Sequence, residues 1–117
     1  MNVDWLRRYC MSFPKATEEV LWGGELVLKV GGKMFAVAPL EPGRTCVSFK
    51  CTPEEFADLT ERPGIIPAPY LARNYWVAIE DEDALPAAEL KRLLRNSYDL
   101  VFAKLPKKTQ AKLAAHN

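Results

Sequence analysis

Glu25-Leu26-Val27-Leu28-Lys29-Val30-Gly31-Gly32-Lys33-Met34-Phe35-Ala36-Val37-Ala38 is the stretch on which the fold turns. Two runs of strand-forming residues flank a Gly-Gly pair, and glycine accepts the positive φ that a two-residue β-turn requires. Such a turn predicts pairing of Val30 with Lys33, Leu28 with Phe35 and Leu26 with Val37. One face of the hairpin then carries Leu26, Leu28, Val30, Phe35 and Val37, and the other carries Glu25, Val27, Lys29, Met34, Ala36 and Ala38. A one-residue slip would bring Lys29 onto the apolar face, so burial selects the register.

Outward from this hairpin, residues 18–22 read as a preceding strand joined through Gly23-Gly24, with Leu21 opposite Leu26 and Glu18 opposite Lys29. Leu40, Glu41, Pro42, Gly43 and Arg44 form a turn. The strand at residues 45–50 points Val47 and Phe49 inward and Cys46, Ser48 and Lys50 outward. Residues 75–80 give a further strand, with Val77 and Ile79 on one face and Trp76 and Ala78 on the other. Residues 65–74 hold Pro67 and Pro69 and read as an irregular, apolar segment packed on the domain.

Helices frame these strands. Asn2 caps a first helix that places Trp5, Leu6, Tyr9, Cys10 and Phe13 on one side and ends at Pro14. Thr52-Pro53-Glu54-Glu55 is a capping box with proline at the first helical position. The longest helix opens at Pro86 and runs to about Leu105, with Leu90, Leu93, Leu94, Ser97, Val101 and Leu105 as its buried stripe. A short basic helix follows Pro106. The sum is an α+β two-layer sandwich. An antiparallel meander is covered on one face by N-terminal, middle and C-terminal helices, all in one domain over residues 1–117.

Composition narrows the chemistry. The chain of 117 residues is 49% hydrophobic and 26% charged, with a net charge of +1, which does not fit a strongly basic nucleic-acid binder. The charge is uneven: seven Lys/Arg against Glu89 and Asp99 leave +5 from Ala84 onward and −4 before it. Cys10, Cys46 and Cys51 show neither disulfide-framework nor zinc spacing and read as small hydrophobes in a reducing compartment. Asp4, Arg7 and Arg8 interrupt any N-terminal apolar run, and no run approaches membrane-spanning length, so a cytoplasmic location is expected.

His116 stands one residue from the end, and no cysteine has a histidine nearby in sequence, so no catalysis is expected. The acidic run at residues 80–83 reads as a solvated loop, and neither metal nor cofactor is expected. Lys33 and Arg44 sit at successive hairpin tips, with Lys29 and Lys50 on outward strand positions. Two basic-tipped ribbons can enter a duplex groove and pair with phosphates. On the residues alone, the plainer reading is that exposed tips commonly carry lysine or arginine. Tyr70, Trp76 and Tyr98 offer an alternative, an aromatic groove for a protein or small ligand; packing of Trp76 beneath the segment at residues 65–71 is the simpler account of that side chain.

Four blocks add a resemblance: residues 31–36 (GGKMFA), 47–50 (VSFK), 67–77 (PAPYLARNYWV), and 97–101 (SYDLV) followed by 104–108 (KLPKK). In this order the chain resembles the MmcQ/YjbR-like family. That family is small, bacterial and cytoplasmic, with a fold likened to bacterial frataxin (CyaY) and described as a double-wing DNA-binding module. The resemblance implies double-stranded DNA as partner, with Lys29, Lys33, Arg44 and Lys50 on the wings and Arg73, Lys104, Lys107 and Lys108 extending the basic surface. A monomer is expected in preference to a dimer.

Overall fold

A computed structural model describes residues 2–41, 43 and 45–115; Pro42 of the expected turn, Arg44 and His116 lie outside the described residues. In chain order the elements are α1 (Val3–Met11), β1 (Thr17–Leu21), β2 (Glu25–Val30), β3 (Lys33–Pro39), β4 (Val47–Lys50), α2 (Pro53–Leu59), β5 (Ile65–Pro67), β6 (Trp76–Ile79), α3 (Ala87–Ala103) and α4 (Lys107–Ala114). A 3-10 turn at Ala72–Asn74 precedes β6.

The six strands form one antiparallel sheet in the order β1-β2-β3-β4-β6-β5. The helices cover one face. Leu6 and Cys10 of α1, Leu59 of α2 and Leu90, Leu93, Leu94 and Val101 of α3 meet Leu26, Leu28, Val30, Phe35, Phe49, Val77 and Ile79 of the sheet. The opposite face carries a smaller cluster of Val27, Val37, Ala68, Trp76 and Ala78, with Leu21, Met34, Ile66 and Leu71 packed against it. Among the described residues no helix is long and apolar enough to cross a membrane.

Caps act where the sequence places them. Asn2 Oδ1 accepts the Trp5 N–H at 2.9 Å. Thr52 and Glu55 exchange both capping-box hydrogen bonds at 3.1 Å. Glu55 also accepts from Asn96, which ties α2 to α3. One segment differs from expectation: residues 65–67 are a strand, with Pro67 opposite Val77. Proline is admitted there because β5 is an edge strand.

The registers of the first two hairpins also differ. Around Gly31-Gly32 the expected pairing of Val30 with Lys33 is present, but beyond a bulge Leu28 faces Ala36 and Leu26 faces Ala38. Phe35 is the extra residue in β3, so Phe35, Ala36 and Ala38 all lie in the helix-side core, and Val37 turns to the other face. The smallest side chains of β3 thus come under the helices. At the first hairpin, Trp22 joins Gly23 and Gly24 in the loop, and Leu21 pairs with Glu25. The one-residue shift puts Glu18 beside Arg7 of α1 at 2.7 Å and Glu19 beside Lys29 at 2.6 Å. Lys29 is therefore bound to Glu19, where Glu18 was expected.

The bulge has a partner in α3. β3 and β4 pair through Ala36–Phe49 and Val37–Ser48 and then part. At the next position the Lys50 N–H donates to Ser97 Oγ at 3.0 Å, and the Ser97 hydroxyl donates to the Phe35 carbonyl at 2.7 Å. A fully buried hydroxyl from α3 thus stands between two strands where a direct ladder bond would otherwise run.

Two stability outcomes follow. Ser97→Ala leaves the Lys50 N–H and the Phe35 carbonyl without their shared partner, and we expect a loss of about 2–4 kcal/mol in chemical denaturation. An unchanged midpoint would mean that the strands close directly on each other. At the hairpin tip, a Cβ on Gly31 would meet Leu105 Cδ1 at 2.5 Å, whereas one on Gly32 meets nothing within 4 Å. Both glycines have positive φ, so Gly31→Ala should cost about 1–3 kcal/mol more than Gly32→Ala, the difference being the Leu105 clash.

Candidate nucleic-acid interface

Successive reversals of a meander alternate between the two ends of its sheet. The Gly31-Gly32 turn delivers Lys33 to one end as the first residue of β3. β4 runs back to that end and finishes at Lys50, opposite Trp76 at the start of β6. The α3 helix also finishes there, since Leu105 seats on Gly31. Lys33, Lys50 and Lys104 consequently line one depression of about 310 Å³, floored by Met34, Leu71, Trp76, Val101 and Leu105, with no acidic side chain in its lining.

The three lysines are held differently. Lys33 and Lys104 are exposed, while Lys50 is half-buried and donates from Nζ to the Asn74 carbonyl at 2.8 Å. Burial, and then the charge of Lys104, push the Lys50 ammonium below its ordinary pKa. An anion in the depression would reverse that direction. Exposed Arg73 precedes Asn74 in the 3-10 turn. Exposed Lys107 and Lys108 occupy the first turn of α4, where the helix dipole disfavours cations.

The remaining basic residues do not join this cluster. Lys29 is ion-paired with Glu19. The β3–β4 connection lies at the far end of the sheet from Gly31-Gly32: Leu40 N–H donates to the Gly24 carbonyl at 2.9 Å, fastening it to the first turn. Lys33 and the segment around position 44 are therefore not adjacent tips, and Arg44 itself is outside the described residues. Carboxylates lie near Cys46 at that far end. Cys46 N–H bonds the Ile79 carbonyl, and the Cys46 thiol is raised by burial and then by Glu82 and Asp81. In place of two adjacent basic tips, the fold sets Lys33, Lys50 and Lys104 together at one end of the sheet, with Asp81 and Glu82 near Cys46 at the other.

The expected aromatic trio is divided by the sheet. Tyr98 belongs to the helix side, where its hydroxyl donates to the Pro14 carbonyl at 2.6 Å and its ring packs edge-on to Phe13 and Phe35. Trp76 lies on the opposite face beneath Ala68 and Leu71, 4% exposed, in line with the simpler account of it. Tyr70 stands fully in solvent. Trp76 and Tyr98 therefore cannot share a groove.

A different groove exists on the open face, about 530 Å³ in volume, with Tyr70 and Trp22 among its walls and Met34, Val37, Ser48 and Leu71 among the residues beneath. Sequence reading placed Trp22 inside the first strand and so missed it; the available signal was a tryptophan directly preceding Gly-Gly, where a three-residue loop exposes it. The buried thiols do not supply a nucleophile: burial pushes Cys10 and Cys51 each up to about 12.

Comparisons with known proteins agree with this architecture. The YjbR family model matches residues 11–100. The YjbR protein of Escherichia coli K12 is 28% identical over 110 residues, covering 91% of this chain and 92% of its own length. The YbdF protein of Escherichia coli O157:H7 is 25% identical over 88 residues, covering 74% and 72%. The crystal structure of Deinococcus radiodurans protein DR2400, a DUF419 domain, superposes with a TM-score of 0.85 at 30% identity, covering 97% of this chain and 88% of that one. A Pseudomonas syringae protein has the same fold, with a TM-score of 0.68 at 23% identity and coverage of 86% and 98%. A family model that spans most of the chain, together with these relatives, establishes that the chain belongs to the YjbR family, the group whose MmcQ/YjbR-like blocks its sequence carries.

Proposed function

We propose that this protein is a binding module for DNA that engages the phosphate backbone with the basic end of its sheet. The observation that carries this reading is the convergence of Lys33, Lys50 and Lys104 on one depression without an acidic neighbour in its lining. Burial first, and then the neighbouring charge of Lys104, hold the Lys50 ammonium below its ordinary pKa. A polyanion offsets that charge and releases counterions as it docks.

Two further features support it. Lys107 and Lys108 at the start of α4 oppose the helix dipole in the free protein, but with that dipole they attract a phosphate. Exposed Arg73 is next in sequence to Asn74, which lines the same depression. A net charge of only +1 is compatible with this reading, because the proposed contact is local to Lys33, Lys50 and Lys104 and does not require a basic surface overall. The reading is of binding without turnover.

Affinity for a DNA duplex, followed by fluorescence anisotropy across a salt series, tests the assignment. Each phosphate-contacting lysine removed lowers the slope of log K against log salt by about 1, so Lys33→Gln combined with Lys104→Gln should lower it by about 2. Lys29→Gln, which removes a cation already held by Glu19, should leave the slope unchanged. Absence of binding to any DNA at low salt, or a slope indifferent to Lys33 and Lys104, would sink the proposal.

A further inference from the structure

The open-face groove is a trough that adjoins the basic depression, with Met34 and Leu71 lining both. From the lysines the trough passes along the sheet over Val37 and Ser48 and ends between Trp22, Glu25 and Thr45. Its walls hold two aromatic rings that no core requires. Tyr70 is fully exposed and Trp22 is 68% exposed. Each also has a left-handed backbone, with φ of 67° at Tyr70 and 51° at Trp22. For a bulky residue that conformation costs about 1 kcal/mol or more, which glycine would not incur. Rings kept exposed on strained backbone, on either side of an apolar floor, form a surface for stacking flat groups.

We infer that the DNA strand bound here is unpaired: its phosphates lie on Lys33, Lys50 and Lys104, and its bases enter the trough to stack on Tyr70 and Trp22. This rests on the reading of the basic end as the phosphate site. A duplex keeps its bases stacked on one another and can offer the trough only its backbone, whereas a single strand offers both a charged edge and aromatic faces. The polar groups of the trough suit base edges. Ser48 and Thr45 provide hydroxyls, and Glu25 provides a carboxylate that accepts from an exocyclic amine. Glu25 stands at the end away from the lysines, where it meets a base and not a phosphate.

The test uses the full chain with one mixed-sequence oligonucleotide, either single-stranded or annealed to its complement. Tyr70→Asn and Trp22→Asn remove the rings, while asparagine tolerates the left-handed backbone; thermal melts confirm that both variants fold. The single strand should bind at least about tenfold more tightly than the duplex, and each variant should weaken single-strand binding by about 5- to 100-fold with duplex binding unchanged. Native tryptophan emission should change with the single strand and lose that component in Trp22→Asn. Equal affinity for the two forms, or single-strand binding indifferent to both variants, overturns the stacking site while the salt dependence on Lys33 and Lys104 can still hold. Failure of both forms to bind overturns this inference together with the phosphate site beneath it.

Discussion

A buried hydroxyl sets the register of the long helix on the sheet. Ser97 sits where β3 and β4 part, accepting from one strand and donating to the other, and is itself carried by the helix that covers them. Bulk hydrophobic packing lets a helix slide and rotate on a sheet, because burial is nearly indifferent to direction. A buried hydrogen-bond pair fixes one depth and one rotation. With Ser97 set, Leu93, Leu94 and Val101 fall on the sheet, and Leu105 arrives over the Gly31 turn. The position of Lys104 beside Lys33 and Lys50 is a downstream result of that anchoring.

The bulge at Phe35 belongs to the same arrangement. The extra residue redirects β3 so that Ala36 and Ala38 face the helices, and it releases the Phe35 carbonyl that Ser97 then occupies. It also sends Val37 to the open face, where the residue becomes part of the trough floor. One local irregularity therefore shapes the core on one side and the candidate binding surface on the other. Bulges recur beside functional surfaces for this reason: they change which face a side chain serves without altering the strand order.

Much of the architecture can be read in the residues. Hydrophobic spacing in residues 86–105 specifies a long amphipathic helix, and Asn2 and the Thr52–Glu55 box locate two helix starts. The hairpin at Gly31-Gly32 follows from turn chemistry. What escaped was anything set by tertiary accommodation. The bulge at Phe35 leaves no mark in an alternating pattern, because Ala36 and Val37 satisfy either face. The three-residue loop at Trp22 escaped because a bulky aromatic is a poor guess for a left-handed position. Residues 65–67 look unlike a strand until an edge partner is in place for Pro67. The candidate site was half legible. Its cations Lys33, Lys50 and Lys104 were all named, but grouping by hairpin tips joined Lys33 to a turn at the opposite end of the sheet, and pairing Trp76 with Tyr98 ignored the layer between them.

The margins of the sheet have a consequence for crowding in concentrated solution. β5 is only three residues long and contains a proline, so it offers almost no free backbone donors to a neighbouring chain. β1 is the longer border, yet its Glu18 and Glu19 engage Arg7 and Lys29 in ion pairs. A second molecule seeking to extend the sheet there would set carboxylate against carboxylate or have to strip those pairs apart. Both borders are thereby blunted against runaway stacking, and the apolar floor between them can stay uncovered without turning the molecule into a seed for fibres.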